Sequence, residues 1–562
     1  MPGRGSGQTV LPTRVGVDNS RATAIDRLRR SRAELYDLAS VLLFVTLIVL
    51  VACTFRDYAI SNDEEVQQRY GELILRYYAS DLNDQALFHF KDLYLYGGLF
   101  DVLAVGLEKI IPLDPYAVRH LLSALTGIGG IAAAWATARA IGGERAGLLA
   151  AAGLALCGIW YGAMFNHTKD IPFAAAMMAA VYVLVRIGRE LPRPRWRLVF
   201  GFGILCGCAL GIRVLGLFLI SYALLAVAIH APIGRAAAWR GLWDFAVRSA
   251  FALVAAFLVA YAIMVMAWPW AGSAPLNPLR AVVTFAQLHY QINTILDGHV
   301  YRMADVPRWY VPTYIGIKLP LLLLIGASLA LVLTPLRPGP AAADGAFRRE
   351  TILVAFAAFL PLVCDVAIRG PADTGMRHFL FTVPPIAVLA GLGLDRALRG
   401  LEATSRLAAA VGVGLILVSC GWNASTLYRL HPDEYLFYNP LVGGLAGASR
   451  RYATDYWVNI MPEAVGDLER FLDRSERGVD KRTPRRHYLV FVCGERLPFE
   501  KEADGRLEWT RDWDRADFFI APTHMNCDRA FGGRVVATVE RLGVVIGVVK
   551  DRRALMARAS PD

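Results

Sequence analysis

Eleven apolar runs, most of them close to twenty residues long, recur along the first three quarters of this 562-residue chain. A helix needs about 20 apolar residues to cross the hydrocarbon core of a bilayer. Backbone in lipid must also satisfy its own hydrogen bonds, which leaves helices as the means of crossing for runs of this length. The runs lie at 37–55, 118–140, 146–165, 171–188, 198–212, 215–231, 246–268, 313–334, 351–368, 379–395 and 407–424. They predict a polytopic α-helical membrane protein of about 11 transmembrane helices. Hydrophobic residues make up 56% of the chain and charged residues 19%, against about a quarter charged in soluble proteins. A net charge of +11 could point to nucleic acid. Much of the arginine, however, sits in short segments between apolar runs, at Arg139 and Arg145, Arg186 to Arg197, and Arg396 to Arg406. That is the positive-inside pattern, and no nucleic-acid partner is expected.

Residues 1–36 are polar and Arg-rich, and no small-residue cleavage site follows the first run, so the run reads as an uncleaved span behind a cytoplasmic N-terminal segment. Arg213 interrupts an otherwise continuous apolar stretch. Two short helices turning at Gly211-Ile212-Arg213 keep the Arg-rich loops on one side, and the odd number of spans then puts the tail, 426–562, outside. The first outer loop, 56–117, carries an aromatic stretch from Leu87 to Gly98 that suits interfacial helices lying on the membrane. A second outer loop, 269–312, is rich in Trp, Tyr, His and Arg. In the tail a helical stretch near Glu463 to Arg474 precedes β-like runs at 487–493, 516–521, 535–540 and 544–550, which predicts a small α/β or α+β domain. Cys493 and Cys527 fall in that domain; on the outer side they fit either a disulfide or two packed thiols.

Ionisable residues near a membrane boundary are costly and so carry information. Asp63, Glu64 and Glu65 follow the first span, where a solvated linker would also suit them. The short outer turn Phe165-Asn-His-Thr-Lys-Asp-Ile-Pro172 holds more charge than a turn requires. A simple cap explains Asp170, with Pro172 in the first turn, but leaves His167 and Lys169 unexplained. Arg213, Lys318, Arg369 and Arg377-His378 are basic residues on the outer side, and together they suggest an anion site, a phosphate above all. His167, His289 and His299 lack ligand spacing, so a divalent metal is possible but not favoured and no cofactor is expected. No phosphate-cradling glycine loop, nucleophile elbow or HExxH motif occurs.

The acidic pair after the first span, the long first outer loop, the acidic residue in the turn between spans three and four and the outer soluble tail together resemble the GT-C superfamily of glycosyltransferases. Within it, the chain is similar to the bacterial branch related to protein O-mannosyltransferases and the lipid A aminoarabinose transferase. Arg377-His-Phe-Leu-Phe-Thr-Val-Pro-Pro385 resembles an "RY-apolar-PP" segment of that branch, and His431 to Gly444 followed by Asp455-Tyr-Trp457 looks like its tail. In the first loop the sequence departs from the pattern, since Glu65 to Gln68 separate the acidic pair from Arg69-Tyr70.

The resemblance implies a GT-C-like transmembrane catalytic domain at 37–425 in the bacterial inner membrane, with a periplasmic C-terminal domain. It implies an inverting transfer of a hexosyl or pentosyl group from a polyprenyl-phosphate donor to the hydroxyl of a lipid, glycan or protein acceptor. Asp63 would be the general base, with Glu64 and Asp170 as further catalytic carboxylates. His167, Lys169 and Tyr70 would line the acceptor or sugar site, and Arg213, Lys318, Arg369, Arg377 and His378 would hold the donor phosphate. A transporter or flippase of a lipid-linked anion is the alternative. Such carriers place charges and broken helices near the midplane, whereas the charges here fall at the outer ends.

Overall fold

The computed structural model describes residues 16–232, 239–287, 292–336, 341–370, 374–476 and 487–555. Every apolar run holds helix. Among the described residues, seven helices are long and apolar enough to cross a membrane alone: Ala33–Thr54, Pro115–Gly142, Asp170–Glu190, Trp239–Ala267, Gly345–Ile368, Arg377–Thr404 and Arg406–Leu430. Two further pairs are bent, Glu144–Ala155 with Gly158–Asn166 by 67° and Tyr310–Lys318 with Leu321–Pro335 by 112°, which raises the number to nine if each pair is one span. The remaining two runs form the shorter helices Trp196–Leu210 and Val214–His230. The expected count of about eleven therefore depends on two short helices that meet at 211–213, where the chain does break.

Local chemistry sets the helix ends. Pro115 occupies the first turn of Pro115–Gly142, and Asp114 accepts a hydrogen bond from the Tyr116 amide at 2.9 Å. Gly143, at φ 94°, ends that helix in a conformation other residues rarely adopt. The aromatic stretch of the 56–117 segment makes two short 3-10 turns, Gln85–His89 and Leu93–Leu95, between the helices Glu64–Ala79 and Leu99–Glu108. At Gly97 the backbone packs so close to the Gly211 carbonyl that a Cβ would overlap it, and the neighbouring Leu99 amide donates to that carbonyl at 3.0 Å. This contact fixes the 56–117 segment against the Arg213 turn.

Side-chain pairs sort the loops onto two ends of the bundle. At one end Arg139 meets Asp37, Arg145 meets Asp395 and Glu402, and Arg189 meets Glu350. At the other end lie Asp63, His167 to Asp170, Arg213 and Arg377, together with the start of the tail. The tail docks through close backbone approach: Gly158 and Gly162 leave no room for a Cβ against residues 434–437. Tyr58 also donates to the buried Glu434 carboxylate at 3.0 Å.

In the 269–312 segment a small hairpin, β1 (Asn293–Leu296) and β2 (His299–Arg302), pairs antiparallel. The tail domain is a five-stranded mixed sheet of β3 (Tyr488–Val492), β4 (Leu507–Trp509), β5 (Phe518–Pro522), β6 (Arg534–Arg541) and β7 (Val544–Asp551) in the order β4-β3-β5-β7-β6. Strand β3 runs parallel to β4 and β5, and β7 is antiparallel to β5 and β6. The amphipathic helix Met461–Ser475 buries Val465, Leu468 and Leu472 against this sheet. Cys493 and Cys527 form a disulfide with their Cα atoms 6.6 Å apart. The sequence reading missed β4, only three residues long, and the helix Arg496–Glu502.

Candidate active site

Two aspartates stand at the N-termini of two helices, and neither caps its own helix. Asp63 precedes Glu64–Ala79 and Asp170 opens Asp170–Glu190; neither helix has a side-chain cap. Both positions favour a negative charge, because unpaired amides and the helix dipole gather there. The carboxylates are instead taken by arginines from distant segments. Arg377 donates through Nη2 to Asp63 and through Nε to Asp170 at 3.1 Å, and Arg213 donates to the other Asp170 oxygen. Capping therefore does not account for Asp170.

Exposure separates the two acids. The Asp170 side chain is 3% exposed and that of Asp63 is 40% exposed. Only one Asp63 oxygen accepts a hydrogen bond among the described residues. Of the pair after the first span, Asp63 thus faces open space, while Glu64 turns inward. Glu64 accepts from the Ser61 amide at 2.8 Å and meets His120 Nε2 at 2.9 Å. That arrangement corrects the expectation that Glu64 shares the cleft, since a one-residue step along a helix rotates the side chain by about 100°.

The His-Thr-Lys-Asp turn is buried throughout. His167 Nε2 accepts from the Trp457 indole N–H and lies 3.1 Å from the Tyr456 hydroxyl. Burial pulls the imidazole down to about 3, with Asp170 opposing, so the ring is neutral at physiological pH. With Nε2 accepting, the proton is assigned to Nδ1, which faces Asp170 at 3.6 Å. Lys169 sits between the Tyr70 and Tyr96 rings, 5.3 and 5.0 Å from their centroids, and 3.4 Å from Asp101. Burial lowers its amine, with Asp101 opposing. Asp101 is also held by Arg119 at 2.8 Å. Tyr70 is fully buried and gives its hydroxyl to the Tyr96 carbonyl at 3.0 Å, so it supports Lys169 and does not reach an open cleft.

The basic residues divide. Arg213 and Arg377 join the aspartates. Arg213 and His378 line a largely apolar cavity of about 180 Å³ beside them, with Tyr96, Phe218, Phe285 and Asp365. Lys318 does not join; it is buried, donates to the Tyr435 carbonyl at 2.8 Å and lies 3.7 Å from the Tyr438 ring centroid. Arg369 is exposed, in a left-handed turn with φ 53°. Of the five basic residues expected to hold a phosphate, Arg213, Arg377 and His378 gather near the aspartates, while Lys318 and Arg369 lie apart.

Other residues complete the site. Trp457 carries the Arg377 guanidinium 4.3 Å from its ring centroid, and Tyr456 reaches His167 from the same tail segment. Neither was marked by a motif beyond its place beside Asp455 in the tail resemblance. Asp101, Arg119, His120, Gln67 and Gln68 form the buried floor. Among the described residues no three His, Cys, Asp or Glu side chains gather as metal ligands would; His289 lies outside those residues.

Residues 114–270 match the family model described as dolichyl-phosphate-mannose-protein mannosyltransferase. No curated protein matches the chain in sequence. Among solved structures, ArnT from Cupriavidus metallidurans bound to undecaprenyl phosphate is similar at 15% identity over 91% of this chain and 97% of that one, with a TM-score of 0.46. Archaeal oligosaccharyltransferase AglB from Archaeoglobus fulgidus, in complex with an inhibitory peptide and a dolichol-phosphate, is similar at 13% identity over 85% and 69%, with a TM-score of 0.45. The matched segment includes the His167 to Asp170 turn and Arg213, and over it the resemblance to protein O-mannosyltransferases read from the sequence is borne out.

Proposed function

We propose that this chain is an inverting glycosyltransferase that moves a sugar from a polyprenyl-phosphate donor to an acceptor hydroxyl at the outer face of the membrane. The observation that carries it is the pair of helix-terminal aspartates joined by Arg377 beside an apolar cavity. The exposed oxygen of Asp63 takes the acceptor proton as the acceptor oxygen attacks the anomeric carbon. The bond from that carbon to the phosphate oxygen breaks, and the electron pair leaves on the lipid phosphate. One base suffices, because a phosphate departs without needing a proton. Asp170 stays buried between two guanidiniums and holds Arg377 and Arg213 in place, with His167 behind it. Arg213 and His378, at the cavity lining, receive the charge that builds on the phosphate. The cavity's apolar wall suits the start of the isoprenoid chain, which keeps its tail in lipid while the sugar meets water.

In this reading the N-terminus is cytoplasmic and the tail lies outside, over the site it helps to build. The match to mannosyltransferases and the undecaprenyl phosphate named for the similar ArnT support a donor of this class. The test is transfer of label from a radiolabelled polyprenyl-phosphate hexose to a membrane extract by the purified chain in liposomes. Wild type transfers label, and Asp63→Asn loses at least ~100-fold. Equal transfer by the two proteins would remove Asp63 as the base.

A further inference from the structure

At the end of the bundle away from Asp63 and Asp170, a second cavity of about 390 Å³ opens between the helices Pro115–Gly142 and Asp170–Glu190. Its volume lies in the roughly 300–1,000 Å³ range of small-molecule sites. Trp135, Arg139, Tyr182, Arg186, Arg189 and Glu190 line it. Most of these charges are already matched. Arg139 holds Asp37 at 2.8 Å, Arg189 holds Glu350 at 2.7 Å, and Glu190 accepts from Arg195 at 2.8 Å. Arg186 differs. Among the described residues its hydrogen-bond partner is the Tyr182 hydroxyl at 2.9 Å, and Glu190, which feels its charge, is engaged by Arg195. Among the described residues this half-buried guanidinium hydrogen-bonds a hydroxyl and ion-pairs no carboxylate, so its positive charge faces the cavity only weakly offset by the engaged Glu190.

The surroundings indicate what meets that charge. Trp135 donates to Ser40 at 3.1 Å and packs on Phe44, both on the first span, whose Val41, Leu42 and Val45 lie exposed. Trp and Tyr are enriched at headgroup depth, and basic pockets between transmembrane helices accept anionic lipid headgroups. We propose that this cavity binds the phosphodiester headgroup of an anionic glycerophospholipid from the leaflet opposite the Asp63–Arg377–Asp170 cluster. Arg186 and the Tyr182 hydroxyl donate to the phosphate, Trp135 packs on the glycerol, and Arg139 and Arg189 strengthen the field without leaving their carboxylates.

The test is native mass spectrometry of the full chain, exchanged in detergent against dioleoyl-phosphatidylglycerol, dioleoyl-phosphatidylcholine or soluble glycerol 3-phosphate. Wild type retains phosphatidylglycerol about tenfold more than phosphatidylcholine, Arg186→Gln loses that preference, and Arg186→Lys keeps part of it. Equal retention of phosphatidylglycerol by wild type and Arg186→Gln, at matched unfolding temperature, overturns the proposal. Binding of glycerol 3-phosphate as strong as that of the lipid overturns the lipid assignment, because the site would then be one for soluble phosphate. Should Arg186→Gln fail to fold, the wild-type lipid preference and its loss in Tyr182→Phe decide the matter.

Discussion

Replacing Arg377 by methionine keeps most of the side-chain volume and removes the charge that joins Asp63 to Asp170. Two terms set the size of the effect. Asp170 is 3% exposed, and breaking a buried ion pair costs about 3–5 kcal/mol. Arg213 remains on its other oxygen, so the low end, about 3 kcal/mol, is expected. Asp63 is 40% exposed, so its pairing adds at most about 1 kcal/mol. The predicted loss of stability therefore falls mostly on the Asp170 contact. A double-mutant cycle with Asp170→Asn, read by SDS titration of tryptophan fluorescence, should give a coupling of about 2 kcal/mol. A parallel cycle with Asp63→Asn should give less than about 1 kcal/mol. Transfer activity should fall about 100- to 1,000-fold in Arg377→Met, as when a preorganised donor is removed. A coupling of zero with Asp170, or a larger coupling with Asp63 than with Asp170, would refute the reasoning.

Three further outcomes follow from the packing and the charges. Gly97→Ala forces a methyl group against the Gly211 carbonyl and should cost about 1–3 kcal/mol while lowering activity through the Arg213 turn; an unchanged unfolding midpoint in the SDS titration would contradict the contact. Replacing Cys493 and Cys527 by serine removes a cross-link over 34 residues and should destabilise the tail by roughly 2–4 kcal/mol, seen as faster trypsin cleavage of the tail that dithiothreitol reproduces in wild type. The junction between bundle and tail should weaken as pH rises. Hydrogen bonding to Glu434, helped by Asp57, raises His431 above its ordinary value, so its contribution is present below about 6.5 and lost as pH climbs through the raised value. Burial, with Asp455 facing it, pushes the Asp433 carboxyl up to about 7; the folded state then holds a proton the unfolded chain has released, and stability falls from about pH 4 to about pH 7. Protease resistance of the tail at pH 5.5 and 8.5, compared with Asp433→Asn, checks this, and the variant should show the smaller change.

Much of the architecture was legible because membrane crossing leaves a long, coarse signal. Each apolar run holds helix, and the break at Arg213 was readable since a charge inside an apolar run must reach a boundary. Strands β3, β5, β6 and β7 were visible as apolar stretches in a polar tail, whereas β4 at three residues carries no period. The site was legible in its acids and less so in its bases. Arg213, Lys318, Arg369 and Arg377 look alike in sequence, each near an apolar boundary. Whether one meets Asp170 depends on contacts 43 and 207 residues apart in the chain, which helix packing decides. Adjacent acids likewise gave no sign that Glu64 would turn to His120 while Asp63 turned to Arg377. Trp457 was unreadable as a site residue because its role exists only once the tail has folded back onto the bundle.

The bridge from Arg377 to Asp63 spans 314 residues of sequence. During synthesis Asp63 and Asp170 enter the membrane long before their shared arginine is made. Until residue 377 arrives, Asp170 has at most one guanidinium partner and Asp63 has none among the groups that hold it in the finished protein. The candidate site is thus assembled by a late arrival, and the tail that supplies Trp457 comes later still. A nascent chain that stops after the first nine apolar runs has most of its helices and no working site. If the proposed transfer takes place at this site, activity therefore reports that the chain has been made and inserted at least through Arg377 and the tail segment that carries Trp457.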